Sequence, residues 1–505
     1  MGLPARTSSP SSPSPTFYPV RTPCPRAIVV VRAPVGAVCL YIREFLLAHV
    51  QKNLQNAVVK SNGFNSRGRR WKAFRAVRVL VAEVSRHGTA LSSLLITGSA
   101  VAAGFAVTFL IGRNFGASAT GQYALMTQTA MLLAVLGLAG LDVSAVRHFA
   151  RSVALKRKLS ARSLFTVTGI AACLVLIVCA ALFLGGSVAW RALFADILPS
   201  DFLLLLCILI VGRAGARFFG AVLRSRHSFV FGQLVSTLLI PVCAGLALLT
   251  GLADNVREAM WATALGGILA TAIGSVGALR HVSRGQNTVS IALRPVLASS
   301  LPLWGVGVIQ SVADWYGLAV AAHALGAEET GYFRVAVQIA AVIQITTMAL
   351  SSVYSAQIST AFHDSDRHAA AKIAATAIRL SAIIAIPLGV GLLAFGAILL
   401  RQIGPEFEAA YPALVILTLG QIAIALTGPS GLVLAMSGNE RTNLLITLAS
   451  AVLLLLSVPI AAAWTGLPGI AACVCVAGIA RNIVAYFVVL RRERIEIWRG
   501  IAKPK

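Results

Sequence analysis

Five charged side chains fall inside long apolar runs of the sequence, where a charge is costly: Arg213, Arg217, Asp314, Arg334 and Arg481. A guanidinium in such a place binds an anion such as phosphate, pairs with an acid, or extends towards lipid headgroups. Asp314, the one acid of the set, could bind a cation or pair with a basic residue. The set therefore predicts a predominantly cationic cavity whose chemistry is binding rather than catalysis.

Each of these positions leaves two interpretations open. Arg213 and Arg217 are four residues apart, so they share one helix face and either grip phosphate or snorkel towards headgroups. Asp314 and Arg334 are expected at similar depth on adjacent antiparallel helices. They form either a structural ion pair or a set of ligands for diphosphate or a coupling cation. Arg481 lies about three turns inside its apolar run, which favours a cavity position.

The sequence contains no residue pattern typical of a metal site or a nucleotide-binding site. Most of the eight cysteines lie within apolar runs, where a thiol behaves as a small apolar side chain. Their spacing fits neither a zinc site nor a disulfide framework. The sequence also contains no GxxxxGK[ST] phosphate-binding loop. We therefore expect no catalytic residue, metal site or cofactor.

The elements that must position these charges are membrane-spanning helices. The chain is 57% hydrophobic and 12% charged, and a helix of about 20 apolar residues crosses a hydrocarbon core. Pro429 is expected to kink the tenth span. The apolar runs predict an all-α polytopic membrane protein with spans near 90–111, 121–143, 163–185, 200–222, 229–251, 258–280, 296–319, 332–357, 377–400, 411–436, 443–464 and 467–490.

The basic residues predict the orientation of these spans. Most of the 43 Lys and Arg residues fall before the first span, after the last, or in alternate connections such as "RHFARSVALKRKLSAR". Positive charge is retained on the cytoplasmic side during insertion, so both termini are expected there, in a bacterial inner membrane. Arg147 and Arg379 fit this topology role. The net charge of +26 is thereby accounted for without a nucleic-acid partner.

The two ends of the chain are predicted to be basic cytoplasmic tails. Residues 1–88 begin with the Ser/Pro-rich stretch "SSPSSPSPT", and we expect most of this region to be disordered with a candidate surface helix. Its segment "RGRRWKAFRAVR" could bind anionic membrane lipids. Residues 491–505 form the second tail.

The chain contains an internal repeat. "GASATGQY" at 116–123 recurs as "GAEETGYF" at 326–333, and spans one to six map onto spans seven to twelve at the same offset. We therefore predict two six-helix bundles, 89–285 and 286–490. Six spans are an even number, so both bundles have the same orientation, and alternating access is the expected mechanism.

The repeated motif is expected to form the outer turn between the first two helices of each bundle. Its glycines, Gly116 and Gly121 in one copy and Gly326 and Gly331 in the other, are predicted to allow a tight turn. Thr120 and its equivalent Thr330 are predicted to cap the helices that follow.

At this point the sequence resembles a known family. "FLIGRNFGASATGQYALMTQTAMLLAVLGLAGLDVSAVRHFA", "HALGAEETGYFRVAVQIA" and "IGPEFEAAYPALVILTLGQ" followed by "GPSGLVLAMSGNERTN" resemble the Wzx-type polysaccharide flippases of the multidrug/oligosaccharidyl-lipid/polysaccharide (MOP) exporter superfamily. The likeness covers about residues 88–490. It implies a V-shaped pair of bundles that moves an undecaprenyl-diphosphate-linked oligosaccharide to the outer leaflet. A polysaccharide polymerase and a chain-length regulator are candidate partners.

Three classes of function are compatible with this pattern to different degrees. A flippase for a lipid-linked oligosaccharide fits best, because its anionic diphosphate requires a cationic cavity. A cation-coupled multidrug exporter of the same superfamily would need acids in the cavity, where only Asp314 is expected. A membrane polysaccharide polymerase or ligase would need a larger outer loop with acidic or His residues. Membrane potential, or a proton or sodium gradient acting through Asp314, would supply the energy.

Overall fold

The computed structural model describes residues 88–154, 158–186, 188, 202–225, 228–280, 282–283, 288–289, 293–364 and 366–502. The predicted amino-terminal tail up to residue 87, including its lipid-binding segment, lies outside the described residues. Within those ranges the protein is almost entirely helical, as the apolar runs predicted.

The helices of the first half follow the six predicted spans with additional breaks. α1 contains the first two spans, which are separated by non-helical backbone at Gly116. π-helical segments, Leu182–Gly186 after α3 and Leu234–Leu238 between α5 and α6, interrupt two further spans. The bounds are α1 Gly88–Leu138, α2 Leu141–Ala154, α3 Ala161–Ala181, α4 Phe202–Ser225, α5 Phe229–Gln233, α6 Leu239–Leu249 and α7 Val256–Leu279.

The helices of the second half are interrupted at different positions from those of the first. A 3₁₀ turn, Pro405–Ala410, precedes α11. Instead of kinking a continuous helix, Pro429 lies in a break, because Gly428 has a φ of 72° and a new helix starts at Ser430. The bounds are α8 Leu293–Leu325, α9 Ala327–His363, α10 Arg367–Ile403, α11 Tyr411–Thr427, α12 Ser430–Met436, α13 Glu440–Thr465 and α14 Leu467–Arg492.

Ten helical stretches among the described residues are long and apolar enough to cross a membrane. One of them, Leu95–Leu138, covers most of the first two predicted spans. The eighth predicted span falls in α9, which is not among the ten. The protein is therefore an all-α, multi-pass membrane protein.

Short strands join connections at the helix ends, which hydropathy alone could not predict. β1 (Lys158–Ser160) pairs in parallel with β2 (Val282–Ser283) and β3 (Thr288–Val289), so the connection between the halves is bonded to the α2–α3 connection. β4 (Ile495–Glu496) and β5 (Ile501–Ala502) form an antiparallel hairpin. The described part of the predicted carboxyl-terminal tail is thus folded, with Ile495 and Ile497 fully buried.

Close approach of α4 to α7 sets the position of the arginines on α4. Gly212 and Gly267 bring the two backbones into contact, and the Thr271 hydroxyl donates a hydrogen bond to the Gly212 carbonyl at 3.0 Å. Small residues and hydroxyl bonds of this kind are the usual means of holding helices together in a membrane. The next residue, Arg213, is thereby held at the middle of α4.

Candidate functional site

The two copies of the repeated motif have nearly the same backbone conformation. Gly116 has φ 84° and ψ −177°, and Gly326 has φ 95° and ψ −177°. Residues that have a Cβ atom rarely adopt this backbone conformation, so glycine is required at the turn in each copy, as predicted. We call the end of the helices where these two turns lie the repeat-loop end.

The other two glycines of the motif have a different role from the predicted one. Gly121 and Gly331 lie within helices and pack against each other's copy of the motif. A Cβ atom added to Gly121 would lie 1.9 Å from the Ala327 carbonyl oxygen, and one added to Gly331 would lie 2.1 Å from the Ala117 carbonyl oxygen. The contact is reciprocal, so the motif forms an interface between the two halves.

The threonines of the motif do not act as the predicted helix caps. Their hydroxyls donate to carbonyl oxygens instead of accepting from N–H groups: Thr120 to Gly116 at 2.9 Å and Thr330 to Gly326 at 2.7 Å. In the first copy the free N–H of Ala117 is satisfied from the other half, by Glu406 Oε1 at 3.1 Å. Glu406, in the 3₁₀ turn before α11, therefore adds a bond between the halves at the repeat-loop end.

The second segment of α1 ends about 33 Å from that interface, at about 1.5 Å per residue. We call this opposite end, where Arg147 of α2 and Arg224 at the end of α4 lie, the basic end. Here α2 contacts the start of α8: the Ser144 hydroxyl donates to the Val296 carbonyl at 2.8 Å, and His148 Nε2 lies 2.9 Å from Ser299 Oγ. The described halves thus touch each other at both ends.

A cavity of about 760 Å³ lies between α2, α4, and the π-helical segment before α6. Four guanidiniums line it, and Asp142 is the single carboxylate in the lining. An ammonium or guanidinium ligand would meet like charge here, whereas an anion would meet several donors. The basic residues that line the cavity are Arg147, Arg213, Arg217 and Arg224.

The guanidiniums differ in whether their N–H donors already have hydrogen-bond acceptors in the protein. Arg217 Nε lies 2.5 Å from Asp142 Oδ2, in an ion pair. Arg224 Nη1 donates to Ser236 Oγ at 2.9 Å. Arg213 Nε is buried and has no hydrogen-bond partner among the described residues. A buried donor without a partner is costly, which makes Arg213 the point at which an anion would gain most.

No protein-family model matches the sequence, and no curated protein matches it. Solved structures do. An inward-facing multidrug resistance MATE family transporter of the MOP superfamily superposes with a TM-score of 0.64 at 16% identity, over 82% of this chain and 100% of that chain. The lipid II flippase MurJ, in an inward closed conformation, gives 0.62 at 14% identity, over 78% and 86%.

The chain has the fold of the MOP-superfamily transporters. A third structure is a MOP-superfamily transporter from Pyrococcus furiosus, described as having a binding pocket of reverse polarity that suggests a different function. It matches with a TM-score of 0.53 at 16% identity, over 81% of this chain and 95% of that chain.

Within this MOP fold, Arg213 and Arg217 line the cavity, as one of the two sequence interpretations proposed. Arg334, on α9, lies near enough to Arg213 and Tyr123 for electrostatic interaction, so it faces the first half. Arg481 is not among the residues that line the cavity.

The structure does not bring Asp314 and Arg334 together as an ion pair. Gln310 Nε2 donates to Asp314 Oδ1 at 3.0 Å, and Arg481 is the nearby charge that acts on this carboxylate. The two side chains have different charged neighbours: Asp314 lies near Arg481 of α14 in its own half, whereas Arg334 lies near residues of α1 and α4.

Three cavity residues were not identified from the sequence. Arg224 follows Arg217 by seven residues and so continues the same face of α4, a signal that the sequence does contain. Arg147 was assigned to topology alone. Asp142 could not be found by spacing, because its partner Arg217 is 75 residues away.

Proposed function

We propose that this protein is a transporter that moves an undecaprenyl-diphosphate-linked oligosaccharide across the bacterial cytoplasmic membrane. The observation that carries the proposal is the cavity in the first half, with four arginines and one carboxylate in its lining. The MOP fold supports transport. The cavity charge supports the choice of an anionic cargo.

The arrangement suits a diphosphate in particular. Arg213 and Arg217 are one helical turn apart on α4, and Arg224 continues the same face. Successive guanidiniums on one face can contact successive phosphoryl groups, each with paired N–H donors. The unsatisfied Nε of Arg213 provides a donor that no described protein group uses.

A polar wall next to Arg224 suits the sugar. Gln233, Ser236 and Thr237 line the cavity from the π-helical segment and the residue before it. π-helical turns inside α-helices occur frequently at functional sites. Amide and hydroxyl groups of this kind can bind the hydroxyls of a glycan, while the arginine wall binds its diphosphate.

A cationic drug is the alternative cargo, as for the MATE transporter of similar fold. Asp142, the one carboxylate in the cavity lining, is already paired with Arg217. An organic cation would therefore enter a site with excess positive charge and no unpaired acid in its lining. Because of this we favour the lipid-linked oligosaccharide over multidrug export.

Contacts between the halves support alternating access. Gly121 packs against the second copy of the motif at the repeat-loop end, and Ser144 bonds to α8 at the basic end. Small backbone interfaces of this kind can separate and reform as rigid bundles rock. We propose that the basic end is cytoplasmic, with both termini on that side. A polysaccharide polymerase and a chain-length regulator are the proposed downstream partners.

Binding by the purified protein tests the choice of cargo. Geranyl diphosphate should bind, and tetraphenylphosphonium should not. Losing a hydrogen bond to a charged group costs about 1.5–3 kcal/mol, so Arg213→Gln should weaken geranyl diphosphate binding about 10- to 100-fold. Arg441→Gln, a change at an exposed arginine on α13, is the matched control. Binding of the phosphonium cation with no binding of the diphosphate would reverse the assignment in favour of drug export.

A further inference from the structure

The Asp142 carboxylate already occupies the position next to Arg217 that a bound anion would take. It lies in the first turn of α2, its side chain is 8% exposed, and its carboxylate is 2.5 Å from Arg217 Nε. It also lines the cavity. A phosphate that approached Arg217 would therefore have to compete with this carboxylate.

The same short helix holds the second half of the protein. Ser144 is two residues after Asp142 and is fully buried. Its hydroxyl donates to the Val296 carbonyl and lies 2.8 Å from Ser299 Oγ. One turn later, His148 Nε2 lies 2.9 Å from the same Ser299 oxygen. α2 thus contributes four side chains to the cavity lining, Asp142 among them, and bonds to α8 through two others.

The link between α1 and α2 contains two consecutive residues in the left-handed region of backbone conformation. α1 ends at Leu138, and the next two residues, Ala139 and Gly140, have φ values of 48° and 75°. A residue with a Cβ atom is rarely found in the left-handed region, so Ala139 must be held there by its surroundings. Gly140 packs against α8, since a Cβ atom there would lie 2.4 Å from the Ser300 carbonyl oxygen.

We infer that Asp142 is a built-in competitor for the anion site, and that its displacement from Arg217 by a polyanion loosens α2 from α8. The inference rests on the proposed function. A displaced carboxylate next to a bound anion is repelled, and a shift of the first turn of α2, where Asp142 lies, would separate the two charges. That movement acts on Ser144 and His148, which hold the second half.

The competition also sets a charge requirement for the cargo. A monoanion that displaces Asp142 from Arg217 replaces one negative charge with another, so its net binding free energy is small. A diphosphate brings more negative charge and can engage Arg213 as well. Asp142 is therefore a positioning and specificity-determining residue that favours polyanions over monoanions.

Titration of the full-length protein in nanodiscs with inorganic pyrophosphate and with acetate tests this selectivity. Asp142→Asn removes the competing charge and keeps the side-chain shape. We expect it to tighten pyrophosphate binding about tenfold and to narrow the preference over acetate. Asp254→Asn, which neutralises an exposed acid in the connection before α7, is the matched control and should change neither value. Melting temperatures of both variants verify that they fold.

A cross-linking measurement tests the link to α8. In a background without native cysteines, His148→Cys with Ser299→Cys should cross-link readily, and pyrophosphate should slow the reaction several-fold. Asp142→Asn removes the repelled charge, so in that background pyrophosphate should no longer slow the cross-linking. Equal rates in all four conditions would overturn the coupling.

The outcomes separate the inference from the proposed function. Equal pyrophosphate affinity in the native protein and Asp142→Asn would overturn the competitor role and leave the anion site intact. Pyrophosphate binding to neither protein would overturn both the inference and the proposed anionic cargo.

Discussion

Gly121 and Gly331 pack against each other across the two halves, so that a Cβ atom added to Gly121 would lie 2.9 Å from the Gly331 backbone nitrogen. They occupy equivalent positions in the two copies of one motif. The two copies of the motif are alike where they meet, because each must provide a glycine for close packing against a carbonyl group of the other. This interface holds the two halves together at the repeat-loop end.

Replacing Gly121 with valine should open that end. The added side chain cannot fit without moving the Ala327 carbonyl, and such overpacking costs about 1–3 kcal/mol. We expect faster reaction of a cysteine at the exposed position Ser118 with a membrane-impermeant thiol reagent. Gly98→Val is the control, because a Cβ atom at Gly98 would contact no other atom within 4 Å. Identical labelling of the two variants would contradict the interface role.

Glu406→Ala should destabilise the protein through the repeat-loop end. It removes the acceptor for the Ala117 N–H, and the loss of such a bond costs about 1–2 kcal/mol. Thermal unfolding measures the loss. Glu408→Ala is the matched control, since its exposed partner Arg401 remains solvated and the change should be smaller. A larger loss in Glu408→Ala than in Glu406→Ala would argue against the bond between the halves.

Exchanging Asp314 and Arg334 should not restore function. The two side chains face different helices, so the double variant Asp314→Arg with Arg334→Asp puts a second positive charge near Arg481 and reverses the charge near Arg213. Protein levels and transport should be no better than in the worse single variant. Recovery of most of the native protein level would show that the two residues do pair.

The membrane orientation can be tested with single cysteines. A cysteine at Ser118, at the repeat-loop end, should react with an impermeant reagent from outside the cell. One at Ser160, the last residue of β1, should react only after the membrane is broken. The reverse pattern would invert every assignment of inner and outer side.

Much of the fold could be predicted because a membrane span leaves a continuous signal. Runs of about 20 apolar residues identified the helices, and the repeat identified the glycine turns. The breaks were harder to identify. The run through Leu138 continues in hydropathy past Ala139 and Gly140, yet contact with α8 ends the helix there.

The site could be predicted only in part, for a related reason. Arg213 and Arg217 were identified because a charge in an apolar run is conspicuous. The Asp142–Arg217 pair depends on how two helices pack, and residue spacing contains no information about that packing. Asp314 and Arg334 lie on consecutive helices, α8 and α9, but the sequence does not determine which neighbour each side chain faces.

Transport of a fluorescent undecaprenyl-diphosphate-linked sugar in proteoliposomes tests the central claim, that the arginine cavity carries an anionic lipid-linked glycan. The native protein should move the lipid between leaflets, measured by quenching of the dye in the outer leaflet, and inhibition by excess geranyl diphosphate should follow. Arg213→Gln with Arg217→Gln should reduce the rate at least tenfold, and Arg441→Gln should not. Transport of the lipid at the native rate by the double variant would contradict the account.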